Sequence, residues 1–264
     1  MQEDGWLTEV YVPSRGRAGK SSTIEQLLDE GRIPLVVVPR EERATYMCVY
    51  PQAWVMGVDV QGIGPTRQWI LRNARSRGVE KIWMLDDDLT KPSTRRWYGD
   101  PYRVVPWTDW LAGVEDVAGG VAAVTGMLRQ YGWMEDSAIP NKRVGYAILL
   151  RTDGPWNYWP FLHEDTDLTL QILTSGHQTL KLPQFVFHTG HMSHKEGGCQ
   201  PDYQRGAAEY AGEALVHKWE RTHPGLVSLT RSKQGVPVTR IQWWRFRQGG
   251  TFSSPLTPSS PISK

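Results

Sequence analysis

The chain has 264 residues, 39% of them hydrophobic, and a formal net charge of +2. That is enough for one sizeable core or a core with a small annex, and too balanced a charge to name a partner by itself. Two cysteines, Cys48 and Cys199, exclude a disulfide framework and fit a reducing, cytoplasmic setting.

The N-terminal MQEDGWLTEV is acidic and has no apolar run, so it does not read as a signal peptide. Trp6 to Val12 reads as a first strand, running into the polar loop Pro13-Ser-Arg-Gly-Arg17. Ser22 and Glu25 have capping-box spacing ahead of Ile24, Leu27 and Leu28, and Gly31 closes that helix. Ile33–Val38 and Val55–Val60 read as strands. Gly64-Pro65-Thr66 opens a basic helix with Arg67, Arg72, Arg75 and Arg77, whose buried side is Trp69, Ile70 and Ala74. Lys81–Leu85 is a strand ending in Asp86-Asp87-Asp88. Leu111, Val114, Val117, Val121, Val124 and Leu128 recur at helical spacing, which predicts one long helix over Thr108–Tyr131, weakened at Gly119-Gly120.

Val144–Leu150 is another strand, and His163-Glu164-Asp165 precedes a short helix ending at Gly176. Thr179–Phe187 reads as a strand interrupted by Pro183, followed by His188, His191 and His194 in a Gly-rich loop. A helix is expected near Gln204–Arg221. No stretch is long and apolar enough to cross a bilayer, and no internal repeat is present. After Glu220 no acidic residue occurs, whereas Arg221, Arg231, Lys233, Arg240, Arg245, Arg247 and Lys264 do. A basic end on a near-neutral body points to a polyanion. Strands alternating with helices predict an α/β fold, a mainly parallel sheet covered on both faces, with ligands outside the carboxyl ends of the strands.

The Asp86–Asp88 triplet carries the most chemistry. Adjacent carboxylates repel, and a divalent cation shared with diphosphate oxygens is a natural counter-charge; a solvated acidic turn is the plain alternative. Glu164 and Asp165 have the chemistry of a general base, and equally that of helix capping with Asp167 in the first turn. His188, directly after a strand, is the best candidate for a further metal ligand; a separate zinc site with Cys199, or solvated loop histidines, are the rivals. Pro13, Ser14, Arg15 and Arg17, with Arg67, suit phosphate recognition. Arg240-Ile-Gln-Trp-Trp-Arg-Phe-Arg247 interleaves arginines with Trp243 and Trp244. Such a stretch suits nucleic acid, and also describes an ordinary edge strand packing its aromatics inward.

In this order, the Val12–Arg17 loop, Arg67, Leu85-Asp-Asp-Asp and Glu164-Asp165 resemble a GT-A-fold nucleotide-sugar glycosyltransferase. More narrowly, over roughly Trp6–Gly198, the chain resembles the phage group associated with TET-type hydroxylases, which glycosylates 5-hydroxymethylpyrimidines in DNA. The resemblance implies a metal-binding DxD motif at Asp86–Asp88, with Asp86 and Asp88 on the cation and Asp86 and Asp87 toward the donor. It implies donor contacts from Ser14, Arg15 and Arg17, and a catalytic base at Asp165 with Glu164 in reserve. It matches His188 only loosely to a late metal-ligand position.

The expectation is therefore a GT-A domain over 1–198, a helical and basic aromatic annex over 199–248, and a disordered tail over 249–264. The expected reaction is inverting hexosyl transfer from a UDP-sugar, with manganese or magnesium, to hydroxymethylated pyrimidines in DNA. A saccharide or other non-DNA acceptor, or a non-enzymatic nucleic-acid-binding protein, are the alternatives. DNA contacts are expected from Arg240, Trp243, Trp244, Arg245 and Arg247.

Overall fold

A computed structural model of the protein describes residues 8–96, 100–129, 138–160, 162–189, 198–199, 202, 206–231 and 237–246. Its strands are β1 (Glu9–Pro13), β2 (Leu35–Pro39), β3 (Trp54–Val58), β4 (Lys81–Leu85), β5 (Leu89–Thr94), β6 (Arg103–Val104), β7 (Ala123–Leu128), β8 (Ile139–Pro140), β9 (Ala147–Arg151), β10 (Thr179–Thr189), β11 (Val227–Arg231) and β12 (Pro237–Ile241). The helices are α1 (Ser22–Asp29), α2 (Arg43–Val49), α3 (Ile63–Ser76), α4 (Trp107–Ala118), α5 (Glu164–Thr174) and α6 (Ala207–Glu220).

One large sheet has the order β3-β2-β1-β4-β9-β7-β10-β5-β6, with β8 beside β10. β3, β2, β1, β4, β7 and β10 all point one way, because β9 is antiparallel to both β4 and β7. The mainly parallel α/β architecture expected from the sequence is thus present. The carboxyl ends of β1, β4, β7 and β10 fall along one rim.

Alternating residues send side chains to opposite faces. On β4, Trp83 and Leu85 join the core that also holds Ile24 of α1, Tyr46 of α2 and Trp107, Trp110 and Leu111 of α4. Ile82 and Met84 join the opposite core with Ile70, Leu71 and Ala74 of α3 and Leu168 and Ile172 of α5. Much of the tryptophan content is structural. Trp83, Trp107, Trp110 and Trp156 are fully buried, and Trp110 meets Trp107, Phe185 and Phe187 edge-on at ring separations of 5.4, 5.9 and 5.8 Å.

Three local expectations change. The helix expected over Thr108–Tyr131 is α4 followed by the buried strand β7. Gly119, at φ 55 and ψ −143, ends the helix in a backbone conformation that favours glycine. β7 is buried on both faces, and such an apolar run mimics helical periodicity. The capping box does not form at Ser22: Ser21 is the N-cap, its Oγ accepting from the Ile24 N–H at 3.3 Å, and Glu25 instead accepts from Tyr50 OH. Glu164 and Asp165 lie inside α5 rather than ahead of it, the N-cap being His163 in a left-handed conformation. Helix α2 and strand β5 are additions to the elements expected from the sequence.

Candidate active site

The triplet follows β4 at the carboxyl-end rim and is fixed by its main chain. The Asp86 N–H donates to Tyr146 O at 2.8 Å. Thr23 Oγ1 donates to Asp86 O at 2.6 Å, and Ser21 Oγ donates to Asp87 O at 2.8 Å, so the first turn of α1 holds the acidic loop.

Alternation puts Asp86 on the α3 and α5 side. There its carboxylate meets Arg67, whose other guanidinium nitrogen donates to Glu164 Oε1 at 2.8 Å. Arg67 is only 3% exposed and lies over the Tyr158 ring at 5.9 Å. Asp87 turns toward β1: it accepts from Ser14 Oγ at 2.5 Å and pairs with Arg17, which also reaches Asp88 at 3.6 Å. Tyr46 OH lies 2.7 Å from Ser14 Oγ and accepts from the Arg17 N–H at 2.9 Å. The triplet is therefore not short of counter-charges, as the case for a cation from sequence supposed. Arginines supply them at Asp86 and Asp87.

The acidic pair of α5 divides its partners. Glu164 is held by Arg67, whereas Asp165 Oδ2 accepts from Arg143 Nε and Nη2 at 2.9 and 2.6 Å, and Oδ1 from the Thr166 N–H at 2.6 Å. Gly145 makes room for that carboxylate, since a Cβ there would stand 2.8 Å from Oδ2. Burial pushes Glu164 up to about 7, partly offset by Arg67 and reinforced by Asp165. For Asp165 burial acts upward too, but the Arg143 and Arg67 guanidiniums outweigh it and hold the carboxyl below its ordinary range. Burial raises Asp86 to about 6 despite Arg67, with Asp88 and Asp165 adding in the same direction. These opposed shifts within one cluster are a mark of functional sites.

Ser14, Arg17, Arg67, Asp86, Asp87, Asp88, Glu164 and Asp165 are therefore brought together, with Pro13 ending β1 beside them. Arg15 points along the rim, donating from Nε to Gly198 O at 3.0 Å and pairing with Asp202 at 2.8 Å. Gly198 and Asp202 are thereby tied to the β1 loop. His188 pairs with Thr90 of β5, two residues beyond Asp88; burial lowers its pKa, and the charges acting with it are Arg129 and Lys91. His191, His194 and Arg247 lie outside the described residues, as does the tail over 249–264. Cys199 is half-buried, and burial with the nearby Glu164 and Asp86 charges pushes its thiol up to about 12.

In the annex, Trp243 packs on a small core with Leu215, Trp219 and Leu226. Trp244 is 60% exposed. Arg245 Nη1 donates to Pro224 O at 3.0 Å, and Arg240 pairs with Ser228 across the β11–β12 hairpin.

Sequence reasoning missed Arg143, Tyr46, Thr23 and Lys181. Lys181 is held down at about 8 by burial and by Arg143, with Asp165 opposing. Only the need of buried acids for partners signalled any of them, and it does not say from where in the chain they come.

A mainly parallel sheet with helices on both faces, and an acid–arginine cluster at the rim where such sheets take ligands, mark a Rossmann-like, GT-A-like fold with a ligand site at that rim. The profile of the TET-Associated Glycosyltransferase family (TAGT) matches residues 8–198, and the chain belongs to that family. No curated protein matches it. Among solved structures it is similar to mannose-1-phosphate geranyltransferase from Thermus thermophilus, at 15% identity and a TM-score of 0.35, over 58% of this chain and 48% of that one. It is also similar to UDP-glucose pyrophosphorylase, both in complex with UDP-glucose (9% identity, TM-score 0.37) and as the apo form (10%, 0.38), each over 70% of this chain and 92% of the other. The chain thus spans about half of the geranyltransferase's length. At scores this low the likenesses say nothing of what this chain binds. No helix among the described residues is long and apolar enough to cross a membrane.

Proposed function

We propose that the enzyme transfers a sugar from a UDP-sugar to the hydroxyl of a 5-hydroxymethylpyrimidine in DNA, with inversion. The observation that carries this reading is the convergence of the β1 loop, the triplet and the α5 acidic pair through Arg17 and Arg67. Family membership supports the DNA acceptor.

Ser14, Arg15 and Arg17, with the Pro13 main chain, would cradle the nucleotide and diphosphate. Arg67 would orient Asp86 and Glu164 together, so that the donor and acceptor walls of the site are set by one buried guanidinium. A divalent cation, manganese or magnesium, would be held by the Asp86 and Asp88 carboxylates, beside which Arg67 and Arg17 already lie. Such a cation, when bound, supplies charge stabilisation to the departing diphosphate. Asp165 is the base. The hydroxymethyl oxygen forms the new bond to the anomeric carbon, the bond to the diphosphate oxygen breaks, and the hydroxyl proton passes to the Asp165 carboxylate. Arg143 keeps that carboxylate ionised beforehand. The target base must leave the stack to reach this buried pair. Arg240, Trp244 and Arg245 of the annex are assigned to DNA.

The test is incubation with mixed UDP-sugars and hydroxymethylcytosine DNA, digestion to nucleosides and mass measurement. A nucleoside heavier by one sugar residue is expected. Sugar transfer to a saccharide with unmodified nucleosides would overturn the acceptor, and Asp88→Ala retaining full activity in metal-free buffer would overturn the cation.

A further inference from the structure

The rim has a second charged cluster, of opposite sign, on the other half of the sheet. Arg129 directly follows β7, and its N–H donates to Phe187 O at 3.0 Å, which sets it beside His188 on β10. His188 in turn pairs with Thr90 of β5, next to Lys91. Neighbouring strands thus deliver Arg129, His188 and Lys91 to one place, and the two cations both act on the imidazole.

Nothing among the described residues answers these charges. Arg129 and Lys91 are exposed and make no ion pair there. His188 Nε2 is buried without a hydrogen-bond partner. The Arg129 guanidinium is held over the Tyr102 ring at 5.6 Å, and Arg95 sits over the same ring at 5.1 Å. Lys91 is one of few non-glycine residues with a left-handed backbone, at φ 49. Cations gathered around an unsatisfied imidazole, one of them over an aromatic face, make a seat for an anion with several acceptor oxygens.

The anion's identity follows from the layout. Along the sheet, β4 and β9 stand between β1, whose loop suits a donor diphosphate, and β7, which leads into Arg129. Between them lies the acidic site, which repels phosphate. A polyanionic acceptor that must bring a base to Asp165 needs cationic footing just beyond those carboxylates, and backbone contacts are what position a protein on DNA.

We propose that Arg129, Lys91 and His188 form a subsite for a backbone phosphate of the acceptor DNA, on the side of the acidic site away from the donor loop. This rests on the DNA-acceptor reading above. The experiment measures binding of a short hydroxymethylcytosine duplex against salt concentration, for wild type, Lys91→Gln and Arg129→Gln/Lys91→Gln. Loss of that one phosphate contact should lower the salt slope by roughly one in the double variant, and by part of that in the single variant. UDP affinity and UDP-sugar hydrolysis without DNA should be unchanged. An unaltered slope in both variants, with wild type binding DNA, overturns the subsite alone. Weakened UDP binding in the variants also overturns it, by giving the cluster to the donor. Wild type that fails to bind DNA overturns the subsite and the DNA-acceptor reading together. Lys91 is exposed and its replacement leaves the core untouched, so the single variant keeps the test valid if the double variant folds poorly.

Discussion

Asp165 and Glu164 are sequence neighbours with opposite proton affinities, and the difference comes from which arginine each meets. With Asp165 as base, the depressed carboxyl is already ionised well below neutrality, so kcat/KM should show no acid limb near pH 7. Asp165→Asn should slow the chemical step about a hundredfold or more with UDP affinity unchanged. If Glu164→Gln is the inactive variant, Asp165→Asn is active and the wild-type profile bends near 7, the roles are reversed. Glu164 also makes a stability prediction. Its native pKa of about 7 lies above the ordinary 4.5, so between those values the native state binds the proton that the unfolded chain has released. Stability from this group is therefore present at low pH and lost as pH rises through 7. Asp86, raised to about 6, acts in the same direction lower in that window, while the lowered His163 opposes both. Urea midpoints at acid and alkaline ends of the window should show a shallower decline, or a steeper rise, in Glu164→Gln than in wild type. An identical pH dependence in the two proteins would refute the raised carboxyl.

At the scale of elements, legibility followed local chemistry. The loop after β1, the triplet ending β4 and the basic face of α3 were readable because turn residues, an apolar strand and an arginine-rich helix each declare themselves within a few positions. β7 was not readable: a strand buried on both faces has no alternation, and its apolar residues extended the period of α4 past Gly119. The partners of the acidic pair were equally hidden. Asp165 is answered by Arg143 from a loop across the site, and Asp167 by another element altogether. Fully buried, Asp167 Oδ2 accepts from Gln171 Nε2 at 2.6 Å and Lys218 Nζ at 2.7 Å, and Oδ1 from Trp219 Nε1 at 2.8 Å. The first turn of α5 thus has two jobs, chemistry at Glu164 and Asp165 and docking at Asp167. Removing one side of a buried pair is costly, about 3–5 kcal/mol. Lys218→Met should accordingly lower the melting temperature by several degrees, whereas Arg40→Gln, at the exposed pair with Asp59, should leave it nearly unchanged. Equal small shifts in the two would remove the docking role from Asp167.

Across the whole molecule, the sequence suggested a boundary after residue 198, and the family match ends at the same place. The packing runs across it. Leu170 of α5 shares a core with Leu215, Trp219, Leu226 and Val227, against which Trp243 and Phe246 also lie. A chain cut after residue 198 would therefore expose Leu170 and strand the Asp167 carboxylate in an apolar setting. Fully burying a side chain of this kind is worth roughly 1.5–3 kcal/mol, and the unpaired carboxylate adds a penalty of similar size. Both losses fall on α5, whose first turn carries the proposed base. The truncated protein should thus melt well below the full chain, bind a hydrophobic dye and lose transfer, even though every residue of the donor loop and triplet is present. A second variant separates docking from truncation. Leu215→Ala in the full chain keeps the annex and its charges but opens a cavity in the shared core, which should cost about 2–5 kcal/mol and loosen α5 in hydrogen exchange. A truncated chain that melts cooperatively at the full-length temperature, together with a Leu215→Ala protein of unchanged α5 protection, would make the annex an appendage rather than the outer wall of the acidic pair.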